Sequence, residues 1–151
     1  MRVELREITR DNLSAVLDLE VAPHQKGFVA TNAVSIAQAH FYPDNAWFRA
    51  VYADDAAVGF AMLALEDDKP VTLWRFMIDH RHQGRGLGRQ AIARILEAAR
   101  ALRPDDTELR LSHVEGAGDP GAFYTRLGFA YTGEVDDGER VMRIALGPTG
   151  A

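Results

Sequence analysis

A chain of 151 residues, 47% hydrophobic and 26% charged, has room for one soluble globular core. Its net charge of −5 argues against a nucleic-acid partner and leaves room for a cationic one. With no cysteine there is no disulfide, thiolate metal site or cysteine nucleophile, and the five histidines show no ligand spacing, so no metal is expected. The start, Met1-Arg2-Val3-Glu4, lacks a signal-peptide core, and no apolar run approaches ~18 residues. This predicts a cytoplasmic protein without a membrane partner. Residues 1–146 are expected to form one domain and 147–151 a loose tail.

In chain order, Val3, Leu5 and Ile8 alternate as a first strand. Thr9 can cap a helix carrying Leu13, Val16, Leu17 and Val21, which Pro23 ends. A mixed stretch from His24 to Asn32 reads as loop or broken helix, after which Asn32 or Ser35 caps a short helix through His40. Trp47 to Tyr52 and Val58 to Leu65 read as antiparallel strands across Asp54-Asp55. Val71 to Asp79 is a largely apolar strand, as expected for one covered on both faces. A long amphipathic helix from about Leu87 to Leu102 carries Ile92, Ile95, Leu96, Ala99 and Leu102 on one face. Glu108 to Val114 alternates as a strand, and Asp119-Pro120 opens a short helix that Gly128 ends. Phe129 to Val135 and Arg140 to Leu146 then form a closing hairpin. The order is βααβββαβαββ, a mixed α/β sheet flanked by helices.

One turn stands out. Gln83-Gly84-Arg85-Gly86-Leu87-Gly88 joins the apolar strand to the long helix. Its glycines leave consecutive N–H groups open, and the helix adds unsatisfied N-terminal donors and the positive end of its dipole. Arg81, Arg85 and Arg89 surround it with positive charge. Such a turn suits a phosphate or pyrophosphate. Three glycines in a first helical turn cost stability, which argues against a ligand-free reading. A P-loop needs Lys-Ser/Thr after its last glycine, where Arg89-Gln90 stands. A dinucleotide turn needs G-x-G-x-x-G, but here the glycines fall two apart each time.

The remaining pattern, Gln/Arg-x-x-Gly-x-Gly/Ala, is met by Gln83, Gly86 and Gly88. With it the chain resembles the GCN5-related N-acetyltransferase superfamily, and the element order matches that family over essentially the full length. The resemblance implies a single-domain, mostly antiparallel mixed sheet that binds acetyl-CoA as cosubstrate. It places the pyrophosphate on Gln83, Gly84, Arg85, Gly86, Leu87, Gly88 and Arg89, and the pantetheine arm along Phe76, Met77 and Ile78. A main-chain N–H of that strand would face the thioester oxygen. A second motif, Ala122-Phe123-Tyr124-Thr125-Arg126-Leu127-Gly128-Phe129, resembles the family's Leu-Tyr-x-x-x-Gly-Phe, with Phe123 in place of leucine. Its tyrosine, Tyr124, would protonate the leaving thiolate. A phenol with an ordinary pKa of about 10, above the ~8.5 of a thiol, is neutral and able to donate at pH 7. Two departures stand beside this. Ala117 replaces an asparagine common seven residues before the tyrosine, and Pro120 replaces an alanine.

An alkylammonium near pKa ~10.4 must lose a proton before it attacks. Glu115, just past a central strand, is the first candidate to take it, with His113 and His24 as others. For the acceptor, Leu19 to Gln25, Phe28 to Asn32, Ser35 to Ala39, Gly59 to Met62 and Trp74 to Asp79 resemble bacterial spermine/spermidine (diamine) acetyltransferases. This implies a small-molecule amine, a polyamine or diamine, bound among Glu20, His24 and Trp74. Asp18 and Asp44 are further acidic candidates, and Trp74 stands where an acidic residue is common but offers a cation–π face. An aminoglycoside, an amino acid, a protein N-terminus, or a CoA-binding sensor without turnover remain alternatives. Family members often pair, so a homodimer is expected.

Overall fold

A computed structural model describes residues 1–147. The expected tail lies outside the described residues except for Gly147, which carries no regular structure. Seven strands form one sheet in the order β1-β2-β3-β4-β5-β7-β6. They are β1 (Val3–Arg6), β2 (Ala46–Ala53), β3 (Ala56–Ala64), β4 (Val71–Ile78), β5 (Glu108–His113), β6 (Ala130–Asp136) and β7 (Glu139–Ala145). Four helices accompany them: α1 (Leu13–Leu17), α2 (Asn32–His40), α3 (Leu87–Leu102) and α4 (Gly121–Arg126). The expected order is therefore present, and every pairing is antiparallel except β4 with β5.

That exception positions the site. β4 and β5 pair only through Val71 with Leu109 and Thr72 with Arg110, and beyond those residues the strands diverge. The joined end is pinned by side chains. Asp106 accepts from the Val71 N–H at 2.9 Å and pairs with Arg103 at 3.3 Å, while Arg103 also donates to the Lys69 carbonyl at 2.7 Å.

Each face of the sheet has its own apolar cluster. α3 lays Leu87, Ala91, Ile92, Ile95 and Ala99 against one face, where Val71, Leu73, Leu109, Leu111 and Met142 are buried. Burying each larger aliphatic side chain stabilises by roughly 1.5–3 kcal/mol. Leu102, expected on that face, is exposed on the last helical turn. The other face holds Phe60, Met62 and Met77 under Val16, Leu19 and Ala39. β4 serves both clusters, which accounts for its nearly continuous apolar sequence.

A bulge interrupts β4. Leu63 faces Leu73 and Met62 faces Arg75, so Trp74 has no opposite residue on β3. The extra residue breaks the alternation. Leu73 and Phe76 join the α3 cluster, while Trp74 and Met77 join the α1–α2 cluster, and Arg75 donates to Gln38 of α2.

Three local expectations are corrected. α1 ends at Leu17, well before Pro23, because Leu19 is buried and the Glu20 backbone is captured by Asp79 and His80. Pro23–Gln25 instead form a separate single 3₁₀ turn. The cap of α2 is Thr31, whose hydroxyl accepts from the Val34 N–H at 3.2 Å, whereas Asn32 is buried and donates to the Val16 carbonyl.

Candidate active site

The diverging strands leave a cleft of about 1010 Å³ that runs through the sheet. β4 residues Leu73 to Ile78 form one wall and Leu111 to Val114 the other. From Leu73 onward, the main-chain groups on the β5 side of β4 have no strand partner, and Phe76, Met77 and Ile78 present them to the cleft. An extended amide-bearing chain laid there could complete the ladder.

At one mouth the glycine turn opens α3. Gly86 occupies the N-cap with φ 76°, a conformation other residues adopt at a cost, and a Cβ built on it would meet nothing within 4 Å. The space beside that backbone is open. Gly88 is small for another reason: its Cβ would come within 3.2 Å of the Phe123 ring, which stacks on Phe76 at 6.3 Å. The residues present thus fit a pyrophosphate held by main-chain N–H groups at the start of a sixteen-residue helix. Gln83, Gly84, Gly86, Leu87, Gly88 and Arg89 line the cleft, while Arg85 is exposed beside it. The Gln83 side chain is committed inward, donating to the Ile78 carbonyl at 2.9 Å and to Gln25 at 3.0 Å. Only its main chain is left for a ligand.

Just before the turn, Asp79 is fully buried. Burial alone would raise its pKa, but hydrogen bonds from Arg81 and from the Glu20 and Arg81 N–H groups overcome this and hold it at about 2. The Arg81 guanidinium, one of the three expected to surround the turn with positive charge, sits on Asp79 at 2.8 Å. This knot and the Gln83–Gln25 bond tie the loop after α1 to the glycine turn.

Tyr124 stands on α4 between the Phe123 and Phe129 rings, at 5.1 and 5.3 Å. It is 7% exposed and lines the cleft, and burial pushes its phenol pKa up. Among the described residues its hydroxyl has no hydrogen-bond partner. The phenol is therefore neutral, with its proton available toward the cleft. Ala117 lies in the loop before α4. Asp119 shapes that loop by accepting from the Gly116 and Gly121 N–H groups, which lower its carboxyl pKa.

The face under α1 and α2 meets the cleft from the other side, and here the structure redistributes the expected residues. Glu115 lies outside the cleft lining, 64% exposed, and pairs with Arg140 at 2.9 Å. His113 does line the cleft but is only 4% exposed. Its Nδ1 donates to the Val114 carbonyl at 2.9 Å and its Nε2 lies 2.8 Å from the Tyr131 hydroxyl, so both ring nitrogens are engaged. Glu20 and His24 are exposed on the loop after α1, outside the cleft lining, and Glu20 pairs with Lys26 at 3.5 Å. Asp18 and Asp44 are exposed and also outside it. Trp74 lines the cleft, with Tyr42 edge-on at 5.9 Å and the Arg75 guanidinium 5.6 Å from its ring.

Among the lining residues that the sequence did not mark as site candidates are Arg75 and Glu139. Arg75 follows the bulge, so strand periodicity gives it the wrong face. Glu139 follows the Asp136-Asp137-Gly138 turn and reads as solvated turn charge. Among the described residues, no group of three or more His, Asp and Glu side chains could hold a metal ion, and no helix is long and apolar enough to cross a membrane.

Comparison with known proteins gives the same architecture. The chain is similar to the spermine/spermidine N(1)-acetyltransferase of Bacillus subtilis, with 33% identity over 94% of this chain and 97% of that one. It superposes on the spermidine N-acetyltransferase of Vibrio cholerae, solved with CoA and spermine, with a TM-score of 0.70 at 18% identity over 95% of each chain. The PaiA N-acetyltransferase of Thermoplasma acidophilum, solved with coenzyme A, gives 0.71 at 15% identity over 96% of this chain and 99% of that one. A family model described as "Acetyltransferase (GNAT) family" matches residues 6–129, which span the helical cover, the split between β4 and β5, the glycine turn and the tyrosine helix. The chain belongs to the GNAT family of acetyltransferases.

Proposed function

We propose that this protein moves the acetyl group of acetyl-CoA by direct transfer to a primary amine of a polyamine or diamine such as spermidine or spermine. The observation that carries the transfer is the through-sheet cleft. It has an N–H-lined glycine turn at one mouth, unpaired β4 main chain along its wall, and a buried neutral phenol beside it. The polyamine assignment rests on the similarity to the Bacillus subtilis enzyme.

In this reading the pyrophosphate lies on the main chain from Gln83 to Arg89, with Arg85 and Arg89 countering its charge. The pantetheine amides bond to β4 at Phe76, Met77 and Ile78, which brings the thioester to the level of Tyr124. The amine enters from the α1–α2 face past Trp74, whose ring can take an ammonium. Glu20 and His24 lie farther out, where the remaining ammonium groups of a long polyamine would extend. Once the neutral amine bonds to the acyl carbon, the C–S bond breaks and Tyr124 donates to the departing sulfur. Burial makes Tyr124 a weaker acid than a free phenol, so donation works only toward a sulfur desolvated in the same cleft, whose own proton affinity is raised likewise.

The test is acetyl-CoA-dependent thiol release with spermidine, spermine and a short diamine beside amino acids and aminoglycosides. Polyamine turnover supports the reading; turnover only elsewhere in the panel discards the polyamine and keeps the chemistry. The same reading includes a cytoplasmic homodimer without nucleic-acid or membrane partners, supported by the net charge of −5 and the family resemblance. Light scattering on the purified chain tests the dimer.

A further inference from the structure

The acceptor side of the cleft holds an unusual charge. Arg75 lines the cleft, yet no carboxylate lies within ion-pairing distance among the described residues. Its guanidinium donates only to the neutral Trp74 carbonyl, at 3.0 Å, and to Gln38, at 3.0 Å. Its Nε is buried without any partner, the one such side-chain atom among the described residues. The side chain is half-buried and makes no direct ion pair, with Glu139 acting on it only at longer range, and a cation so placed is costly, so its retention calls for a reason.

Across the split stands Glu139 at the start of β7, lining the same cleft and accepting from the Ser112 hydroxyl at 3.2 Å. Ser112 and Glu139 share the sheet face of Trp74 and Arg75, because Leu111 and Met142 belong to the opposite cluster. The other titratable groups on the cleft wall are committed or sit elsewhere. Asp119 is bound to two N–H groups, His113 to Val114 and Tyr131, and Lys26 to Glu20. His82 and Arg89 belong to the turn at the cofactor mouth, Tyr124 and Arg126 to α4. Of the carboxylates lining the cleft, Glu139 alone is free to take a proton.

We infer that the acceptor ammonium is deprotonated between Arg75 and Glu139. An ammonium entering this gap is partly stripped of water and brought near the unpaired guanidinium. Both effects lower its pKa from the ordinary ~10.4, and the Glu139 carboxylate opposes them only until it takes the proton. Glu139 accepts the first proton and passes it to solvent. The freed lone pair forms the C–N bond to the thioester carbon as the C–S bond breaks, Tyr124 gives its proton to the thiolate, and the nitrogen's second proton returns to the Tyr124 oxygen. The products are the acetamide, CoA thiol and one released proton. Arg75 is thus a positioning residue that sets acidity, and Glu139 is the catalytic residue that receives the proton. This assignment rests on the amine transfer proposed above but on no particular amine.

The test measures kcat against pH at saturating acetyl-CoA for wild type, Glu139→Gln, Arg75→Gln and Arg75→Lys, each with spermidine, with simple primary amines and with hydroxylamine. Hydroxylamine is already neutral at pH 7 and needs no base for the first proton. Glu139→Gln should lose about 100-fold in kcat with the protonated amines and stay close to wild type with hydroxylamine. Arg75→Gln should move the rising pH midpoint of kcat upward by about one unit, while Arg75→Lys keeps it in place. A raised KM with unchanged kcat in Glu139→Gln, equal losses with hydroxylamine, or an Arg75→Gln profile lowered without a shifted midpoint would overturn the proposal. Turnover of simple amines but not spermidine, with these dependences intact, removes the polyamine and leaves the deprotonation standing. A wild type that acetylates hydroxylamine and no protonated amine sinks the deprotonation itself.

Discussion

The two mouths of the cleft are built from different materials. The mouth proposed for the cofactor is made of main chain: glycine N–H groups at the head of α3 and the unpaired edge of β4, with side chains such as Gln83 turned inward to brace them. The mouth proposed for the acceptor is made of side chains, with Trp74 and Arg75 on one wall and Ser112 and Glu139 on the other. Main chain suits what every acetyl-CoA offers, phosphates and amides. Side chains can be exchanged to suit a different amine without disturbing the cofactor. Conformational strain should therefore break the first mouth, and changes of charge the second.

Gly86→Val should break the cofactor mouth most completely. A β-branched residue at φ 76° is strained by at least on the order of 1–2 kcal/mol, and its methyls would fill the space open beside the backbone. Calorimetric titration should show acetyl-CoA affinity falling by more than 100-fold. Thermal melting of the free protein separates this from simple unfolding, and wild-type affinity would move the pyrophosphate elsewhere.

Tyr124→Phe acts at the junction between the mouths. The ring keeps its contacts with Phe123 and Phe129 and loses only a hydroxyl that bonds to nothing among the described residues. Turnover should fall about 100-fold while acetyl-CoA affinity and melting temperature hold. Unchanged turnover would remove the phenol from the mechanism.

Asp79→Asn tests the coupling between the mouths, since this carboxylate holds the loop after α1 against the glycine turn. Its folded pKa of about 2 lies below the ordinary ~3.9. The linked stability is therefore present above about pH 4 and is lost as pH falls toward 2. With Arg81 largely exposed, on the order of 1–2 kcal/mol is expected. Urea unfolding at pH 7 should show the variant destabilised by about that amount, with a flatter dependence between pH 4 and 2. Equal acid sensitivity in both proteins would rule out Asp79 as the source.

The same division explains what could be read in advance. The glycine turn, the extent of α3 and the tyrosine helix announce themselves locally, because positive φ, helix periodicity and Asp119-Pro120 are properties of neighbouring residues. The acceptor mouth depends on contacts distant in sequence. α1 is cut short by a carboxylate some sixty residues away, which periodicity cannot register. The β4 bulge puts Trp74 and Arg75 on one face, against the alternation a reader must assume. Glu139 reaches the cleft only because β7 inserts between β5 and β6. A glutamate just after a central strand, Glu115, looks from sequence like the better base.

Glu115 and Glu139 therefore provide the finest test of the comparison. Glu115 pairs with Arg140, itself 3.7 Å over the Tyr131 ring, on the exposed rim. An exposed ion pair contributes about 0–1 kcal/mol, and Arg140 keeps its aromatic support if the carboxylate is lost. Glu115→Gln should leave kcat for protonated amines within about twofold of wild type, where Glu139→Gln loses about 100-fold. The two substitutions remove the same charge, one from the loop after β5 and the other from the start of β7. Net charge and long-range steering change equally, so the difference in kcat isolates position in the cleft. A large fall in Glu115→Gln with Glu139→Gln unaffected would return the proton to the rim. It would mean that the amine approaches over Arg140 and Tyr131, and not past Trp74.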